Sequence, residues 1–226
     1  MPPIDRPVWA SLTGAHMSLS VGGSLARRYA PDVNLFASTC DEAPESLAAL
    51  AALVHKGGRV FLLQVPPVVI PEGLSAIKRA KGVQMVASRS LQGATSSDGI
   101  VPLTDSDAPD MLALAALTEP GPFLARTHQM GTFFGIRING RLAAMAGERF
   151  RFPGHTEVSG VCTHPDFRGR GLARRLSAAV AAHIEARGEQ PFLHAWQTNL
   201  PAIALYESLG FVRRCDVDVA VMERAG

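Results

Sequence analysis

The feature that most constrains this chain is the stretch VCTHPDFRGRGLARRL at residues 161–176. An apolar, strand-like segment runs into a turn that contains Gly169 and Gly171, and an amphipathic helix follows at once, with apolar residues four positions apart from Leu172 onward. Glycine allows a ligand to approach the backbone closely, and the unpaired amides of a first helical turn point toward the same place. The stretch therefore predicts an anion site suited to a pyrophosphate.

Two common phosphate-binding motifs do not fit this stretch. A Walker loop would place a Lys-Ser or Lys-Thr pair after the glycines, and no such pair is present. A GxGxxG loop would place a third glycine where Arg174 stands. The sequence therefore disfavours both ATP and NAD as the ligand.

The charge of the chain argues against a nucleic-acid partner. Lysine and arginine number 22 and the acidic residues 20, which leaves a net charge of +2 and no general excess to bind phosphates. Four arginines stand within eight residues, but no aromatic residue is interleaved among them: Arg168, Arg170, Arg174 and Arg175. We assign these arginines to the phosphates of a small ligand and expect no nucleic acid.

Cysteine, histidine and apolar patterns indicate a soluble cytoplasmic protein without a metal. Cys40, Cys162 and Cys215 form no CxxC pair, and the seven histidines show neither HxH nor HExxH spacing. The longest apolar run, residues 47–54, is far shorter than the roughly 20 residues that cross a bilayer, and the first residues do not resemble a signal peptide. We expect no membrane association.

The chain is predicted to be an α/β protein in two parts, because the segment LQGATSSDG at residues 91–99 has the composition of a linker. The predicted parts are 1–97 and 98–226. In the first part, apolar runs predict strands at 33–37, 59–65 and 83–88, a helix that begins near Pro44 and ends before Gly57, and a short helix at 74–80.

The second part carries stronger local signals. Asn139-Gly140 predicts a hairpin turn, since both residues tolerate the positive φ of a type I′ turn, and Gly188 stands where a helix-ending glycine belongs. The predicted elements are a strand at 100–103, helices at 111–117 and 123–128, the hairpin, a strand at 157–163, a helix at 172–187, a strand at 192–197, a helix at 201–208 and a long strand or strand pair at 211–221.

Two motifs together resemble the GNAT superfamily of N-acetyltransferases. The acyl-CoA signature of that family, Gln/Arg-x-x-Gly-x-Gly/Ala, is met by residues 168–173, RGRGLA. Residues 199–211, NLPAIALYESLGF, are similar to its Asn-x-x-Ala-x-x-Leu-Tyr-Glu-x-x-Gly-Phe segment. The resemblance covers residues 100–226 and implies a mixed, mostly antiparallel sheet flanked by helices, preceded here by a smaller α/β N-terminal subdomain.

The resemblance also implies the residues that bind acetyl-CoA as co-substrate. The strand backbone at 161–163 would bind pantetheine, the amides of 169–174 the pyrophosphate, and Asn199 and Tyr206 would line the thiol end. The full expected set is Val161, Cys162, Thr163, Arg168, Gly169, Arg170, Gly171, Leu172, Ala173, Arg174, Asn199, Ala202 and Tyr206. Tyr206 resembles the general acid of the family, which protonates the departing thiolate.

A base is also useful, because an amine of pKa about 10.4 is neutral in only about one molecule in 2,500 at pH 7. Glu157 is the first candidate: it stands eleven positions before Arg168, as the base does in histone-type members, and alternation predicts that it shares a strand face with Ser159 and Val161. Alternatively, Glu157 is paired with Arg149 or another strand arginine. Glu148 and water remain the other candidates.

The predicted function is transfer of an acetyl group from acetyl-CoA to a primary amine, of a small molecule, by direct attack in a ternary complex without a metal. Arg126, Thr127 and Phe133 are expected near the acceptor. The alternative is a non-catalytic acyl-CoA-binding regulator whose N-terminal half binds a partner, and a nucleic-acid-binding module comes third. The acceptor, the acyl-chain length, the oligomeric state and the role of residues 1–97 stay open.

Overall fold

The fold is given by a computed structural model that describes residues 1–91, 93 and 96–225. Five α-helices are described: α1 (Pro7–Leu12), α2 (Pro44–Ala52), α3 (Ala108–Thr118), α4 (Leu172–Glu185) and α5 (Leu200–Leu209). The described strands are β1 (Ser20–Gly22), β2 (Ala26–Tyr29), β3 (Ala37–Thr39), β4 (Arg59–Gln64), β5 (Ser75–Ala87), β6 (Ile100–Leu103), β7 (Phe133–Ile138), β8 (Arg141–Phe152), β9 (His155–Thr163), β10 (Gln190–Trp196) and β11 (Phe211–Glu223).

Eight of these strands form one sheet, in the order β4-β11-β5-β10-β9-β8-β7-β6, and β1, β2 and β3 form a small second sheet. In the described part of the chain, every neighbouring pair is antiparallel except β9 and β10, which are parallel. The expected mixed, mostly antiparallel sheet with flanking helices is therefore confirmed.

Both faces of the large sheet are covered. On one face lies α4, whose Leu172, Leu176, Val180 and Ile184 are buried against the strands. The other face is covered by α1 and by the segment around β2, which bury aromatic residues of β8 and β10. The centre of the sheet, where β9 meets β10, is thus enclosed on both sides.

The sheet crosses the predicted boundary between 97 and 98. Strands β4 and β5 come from the first part, yet β11 pairs with β5 from Phe211 to Glu223, β4 pairs with β11, and β10 pairs with β5. The predicted division at this point does not coincide with a break in the sheet. Residues 92, 94 and 95 of the predicted linker lie outside the described residues.

Three local predictions differ from the structure. The helix predicted at 74–80 is wrong, since these residues begin β5, whose pairing with β11 outweighs the local preference of Lys78 and its neighbours for a helix. The strand predicted at 33–37 starts only at Ala37. The helix predicted at 123–128 is a single 3-10 turn, Thr127–Met130, which follows Pro120 and Pro122.

Other local signals are confirmed. The hairpin between β7 and β8 turns at Asn139 and Gly140, whose φ angles are 51° and 78°. Helix α2 begins at Pro44 as predicted, and the chain leaves α4 through Gly188 at φ 74°. None of the helices in the described residues combines the length and the apolar character needed to cross a membrane.

Candidate active site

A gap opens in the sheet where the two parallel strands separate. Strands β9 and β10 pair only from His155 to Glu157 and from Gln190 to Phe192, and beyond these residues they diverge toward their carboxyl ends. Two spaces lie along this gap: a cleft of 640 Å³ beside the start of α4 and a cavity of 280 Å³ deeper in the sheet. They share the lining residues Thr118, Val161, Asn199 and Ala202, so the two spaces adjoin.

The glycine turn forms one end of the cleft. Gly169 and Gly171 have φ angles of 76° and 71°, a region that residues with a Cβ rarely adopt, and a Cβ at either position would meet no atom within 4 Å. Gly171 precedes α4 without a side-chain cap, which leaves the amides of the first helical turn without a capping acceptor. Open space, free amides and the positive end of the helix therefore coincide.

The arginines around this turn fall into two pairs. Arg168 and Arg170 are exposed, and no carboxylate among the described residues pairs with either of them. Arg174 instead bonds Ser208, and Arg175 bonds the carbonyl of Asp98. The first pair is free to bind an anion, whereas the second pair ties α4 to its neighbours.

Nearly all residues expected to bind the co-substrate line the cleft. These are Val161, Cys162, Thr163, Arg168, Gly169, Arg170, Gly171, Leu172, Ala173, Arg174, Asn199 and Ala202. Burial raises the pKa of Cys162 to about 11, so its side chain is a neutral thiol at the cleft. Asn199 also caps α5, because its side chain accepts a hydrogen bond from the amide of Ala202 at 3.3 Å.

Tyr206 lines the cavity rather than the cleft. It stands on α5 and packs edge to face against Phe211, with ring centroids 6.1 Å apart. Burial raises the pKa of Tyr206 to about 12, and the negative charge of Glu157 acts in the same direction. The phenol is therefore protonated at neutral pH and can donate a proton at the cavity.

Glu157 is enclosed beneath the cavity and does not line it. Arg149 binds its carboxylate through two hydrogen bonds, of 2.6 Å from Nε and 2.7 Å from Nη2, and His194 Nδ1 lies 2.6 Å from Oε1. Burial alone raises the pKa of Glu157, but the charge of Arg149 and these hydrogen bonds outweigh it and lower the pKa to about 2.

The alternation of side chains predicted along β9, which would put Glu157 on one face with Ser159 and Val161, is not what the structure shows. Ser159 and Val161 line the cavity, but so do the intervening Val158 and Gly160. The register between β8 and β9 shifts on both sides of Ser159, and Gly160 has a φ of 62°, which marks a bulge. A bulge breaks the two-residue period on which the prediction depended, and the alternative pairing with Arg149 is what the structure shows.

His194 was not predicted to have a functional role, and it lines the cavity. The tautomer of His194 follows from the orientation of the Gln84 amide. Gln84 Oε1 accepts a hydrogen bond from Arg214 at 2.8 Å, so the other end of the amide, Nε2, is the donor. Gln84 Nε2 donates to the carbonyl of Ile4 and, at 3.0 Å, to His194 Nε2. His194 Nε2 is then an acceptor, and Nδ1–H donates to Glu157. A signal was present in the sequence, because His194 is a polar residue inside the apolar strand PFLHAW.

The other predicted residues lie elsewhere. Glu148 is buried, 2.8 Å from Arg187 Nη1, and accepts a hydrogen bond from the amide of Thr132, and it lines neither space. The three residues expected near the acceptor also line neither space: Arg126, Thr127 and Phe133. The described residues hold no group of three His, Cys, Asp or Glu side chains placed to bind a metal.

The cavity instead takes its walls from distant parts of the chain. Phe61 and Leu63 of β4 lie on one side, together with Val217 and Val219 of β11, and the loop 118–122 lies on another. Arg149 and Glu119 are the charged residues of the lining. The N-terminal part of the chain therefore contributes directly to the site.

Comparisons with known proteins agree with this architecture. Residues 133–219 match the family model described as FR47-like protein. The chain is 35% identical over 79 residues to the ribosomal protein bS18-alanine N-acetyltransferase of Escherichia coli, and 47% identical over 58 residues to the mycothiol acetyltransferase of Thermobispora bispora. These matches span 34% and 25% of this chain, and 53% and 20% of the two relatives, so the chain matches only part of their length.

Solved structures match over the whole chain. A GCN5-related N-acetyltransferase from Kribbella flavida has a TM-score of 0.69 at 19% identity, covers 100% of this chain and 97% of its own, and shows the fold alone. An acetyltransferase structure from Novosphingobium aromaticivorans, assigned to the GNAT family, has a TM-score of 0.93 at 44% identity and covers 100% of both chains. The chain therefore belongs to the GNAT family of acetyltransferases.

Proposed function

We propose that this protein transfers an acetyl group from acetyl-CoA to the primary amine of a small molecule by direct attack in a ternary complex. One observation carries the proposal: the cleft with the anion site adjoins a separate cavity at the point where β9 and β10 diverge. Two substrates can thus meet end to end, one in each space.

The cleft residues fit acetyl-CoA. The amides of the first turn of α4, together with Arg168 and Arg170, would hold the pyrophosphate. The diverging edge of β9 offers backbone groups that β10 no longer pairs, and these would bind the amides of pantetheine. The thioester would then lie near Asn199 and Ala202, which line both spaces.

His194 is proposed to accept the proton of the bound ammonium group, so that the amine nitrogen can attack. Its Nε2 already carries the required lone pair, and Gln84 would give up this position to the substrate or to a water. Glu157 orients the imidazole and stabilises its protonated form, which is how a buried carboxylate supports histidine in serine proteases. Glu157 thereby becomes a positioning residue, without contact with the substrate.

Tyr206 is proposed to complete the reaction by donating its phenolic proton to the sulfur as the carbon–sulfur bond breaks. A thiol of pKa roughly 8.5 leaves more easily when it is protonated during departure. The raised pKa keeps Tyr206 protonated before this step. The attacking nitrogen loses a second proton as the carbon–sulfur bond breaks, and this proton restores the phenol of Tyr206, whereas the proton held by His194 passes to solvent. One turnover therefore converts an ammonium group and a thioester into an amide, a thiol and one released proton.

The size of the cavity supports a small acceptor. Its 280 Å³ lies at the lower limit of the roughly 300–1,000 Å³ of small-molecule sites. The relatives are named for different products or acceptors, mycothiol in one case and a ribosomal-protein alanine in the other, so similarity to them does not identify the acceptor of this protein. The lining holds a single carboxylate among the described residues, that of Glu119, which favours a small molecule over a basic protein tail.

Thermal unfolding with and without acetyl-CoA tests the proposal. At 100 times its Kd, the ligand adds about 2.7 kcal/mol to the free energy of unfolding, which raises Tm by about 5–10 °C. Gly171→Glu is expected to abolish the shift, because it places a carboxylate and a strained side chain at the anion site.

Gly188→Glu is the matched control. Gly188 lies beyond the other end of α4 with a φ of 74° and equally open surroundings, so the substitution carries the same backbone strain and charge away from the cleft. We expect this variant to keep the shift. No shift in the wild type would refute the acyl-CoA site, and a shift without acetylation of any amine would favour the acyl-CoA-binding regulator.

A further inference from the structure

Arg149 presents an unused hydrogen-bonding edge to the cavity. A guanidinium has five N–H donors, and Glu157 accepts only from Nε and Nη2. No acceptor among the described residues bonds Nη1, and the side chain, although only 13% exposed, lines the cavity. A largely desolvated cation therefore keeps free donors that face the acceptor space.

The plane of this guanidinium is fixed by packing. Its Cζ lies 4.9 Å from the ring centroid of Phe36 and 4.5 Å from that of Phe150. Together with the two-point contact to Glu157, these rings leave the side chain little freedom to turn. The free edge is thus a preorganised binding group for a planar, anionic oxygen pair such as a carboxylate.

The remaining charge in the cavity complements this edge. Glu119, which follows α3 with a φ of 48°, lines the cavity and has no ion-pair partner among the described residues. Phe61 and Leu63 provide an apolar wall on another side of the cavity. The cavity therefore offers a site for a carboxylate, a site for an ammonium group and room for an apolar side chain.

We propose that the acceptor is a small α-amino acid with an apolar side chain, whose carboxylate binds Arg149 and whose ammonium group is drawn to Glu119 before the proton is removed. This inference rests on the proposed acetyltransferase function and names its substrate class. An amine without a carboxylate would leave the Nη1 donors desolvated and unpaired, which a polar site penalises strongly.

A series of matched acceptors tests the proposal in the wild-type enzyme. Initial rates with acetyl-CoA are measured for leucine, leucinamide and 3-methylbutylamine, and for phenylalanine, phenylalaninamide and 2-phenylethylamine. We expect kcat/KM to fall about 10- to 100-fold from each amino acid to the amine that lacks the carboxylate. Equal or higher kcat/KM for the simple amines would overturn the proposal.

Variants assign the discrimination to Arg149. Arg149→Lys keeps a positive charge beside Glu157 but removes the free edge, so the ratio of kcat/KM between amino acid and amine is expected to fall toward 1. Arg151→Lys is the control, because Arg151 lies two residues further along β8, pairs with Glu189 at 2.8 Å and lines neither space. The Arg151→Lys variant should keep the wild-type ratio. A ratio unchanged by Arg149→Lys would contradict the assignment.

The two proposals fail differently. If acetyl-CoA raises Tm and simple amines are acetylated as well as amino acids, only the acceptor class is wrong. If acetyl-CoA causes no shift and no amine is acetylated, both proposals are wrong. Should Arg149→Lys not fold, the wild-type acceptor series still decides the substrate class.

Discussion

Glu157 joins four strands of the sheet through a single carboxylate. It stands on β9, binds Arg149 on β8 and His194 on β10, and reaches Gln84 on β5 through the imidazole of His194. A buried ionised group is tolerated only where such partners satisfy it. The residue that the sequence offered as a base is therefore, in the structure, the group that fixes the positions of two cavity-lining side chains.

The phenol of Tyr206 can be tested by removing one oxygen atom. Tyr206→Phe keeps the packing against Phe211 and removes the proposed proton donor. We expect kcat to fall by about 10²- to 10⁴-fold, the usual contribution of a positioned acid, while the Tm shift with acetyl-CoA stays the same. Steady-state rates and thermal unfolding measure the two effects, and an unchanged kcat would exclude Tyr206 as the acid.

The ion pair of Glu157 predicts an acid limit of stability. Its pKa is about 2 in the folded state against 4.5 for the unpaired group, so the pair stabilises the fold fully above pH 4.5 and loses this effect as the pH falls toward 2. The loss amounts to about 3 kcal/mol in the free energy of unfolding. Urea unfolding of the wild type and of Glu157→Gln across this range measures it.

The variant Glu157→Gln distinguishes the contribution of Glu157 to the pH dependence of stability from that of the other carboxylates. Glu157→Gln is less stable at pH 7, because Arg149 keeps its charge without a counterion, and it should lose about 3 kcal/mol less than the wild type between pH 4.5 and 2. Parallel pH dependences in the two proteins would show that Glu157 does not titrate in this window.

At the scale of the elements, those set by local sequence signals could be predicted, and those set by strand pairing with distant parts of the chain could not. The hairpin at Asn139-Gly140 and helix α4 were predictable, since the turn residues and the four-residue apolar spacing are properties of the segments themselves. The first half of β5 was not, because residues 75–81 become a strand only through β11, far along the chain. The cleft residues follow from the glycine turn, whereas Phe61 enters the site through the pairing of β4 with β11, and His194 through the pairing of β10 with β5.

Helix α4 holds the anion site in place, so its packing should carry much of the stability. Leu176 is fully buried between α4 and the sheet, and Leu176→Ala is expected to lower the free energy of unfolding by about 2–5 kcal/mol. Leu117→Ala on α3 is the control, since that side chain is 54% exposed and its loss should cost less than about 0.5 kcal/mol. Similar values for the two variants in denaturant unfolding would contradict the packing described here.

At the scale of the whole molecule, the two parts of the chain share one sheet and one site. The first part provides both neighbours of β11 and the antiparallel neighbour of β10, and its Ile4, Val8 and Leu12 cover aromatic residues of the second part. It also provides Phe61 and Leu63 of the cavity wall. The regions with and without resemblance in sequence thus meet at the cavity proposed to hold the acceptor.

This arrangement predicts that residues 98–226 do not fold alone. Without β4 and β5, β11 loses both of its neighbours, β10 loses one, and the aromatic core residues Phe150 and Phe192 become exposed. We expect the fragment to show no cooperative thermal transition by circular dichroism and no Tm shift with acetyl-CoA. Co-expression with residues 1–97 should restore the transition and the shift, because the missing strands can then complete the sheet. A cooperative transition with an acetyl-CoA shift in the fragment alone would instead establish the division at residue 97 as a true domain boundary, with an N-terminal part that adds only the acceptor wall.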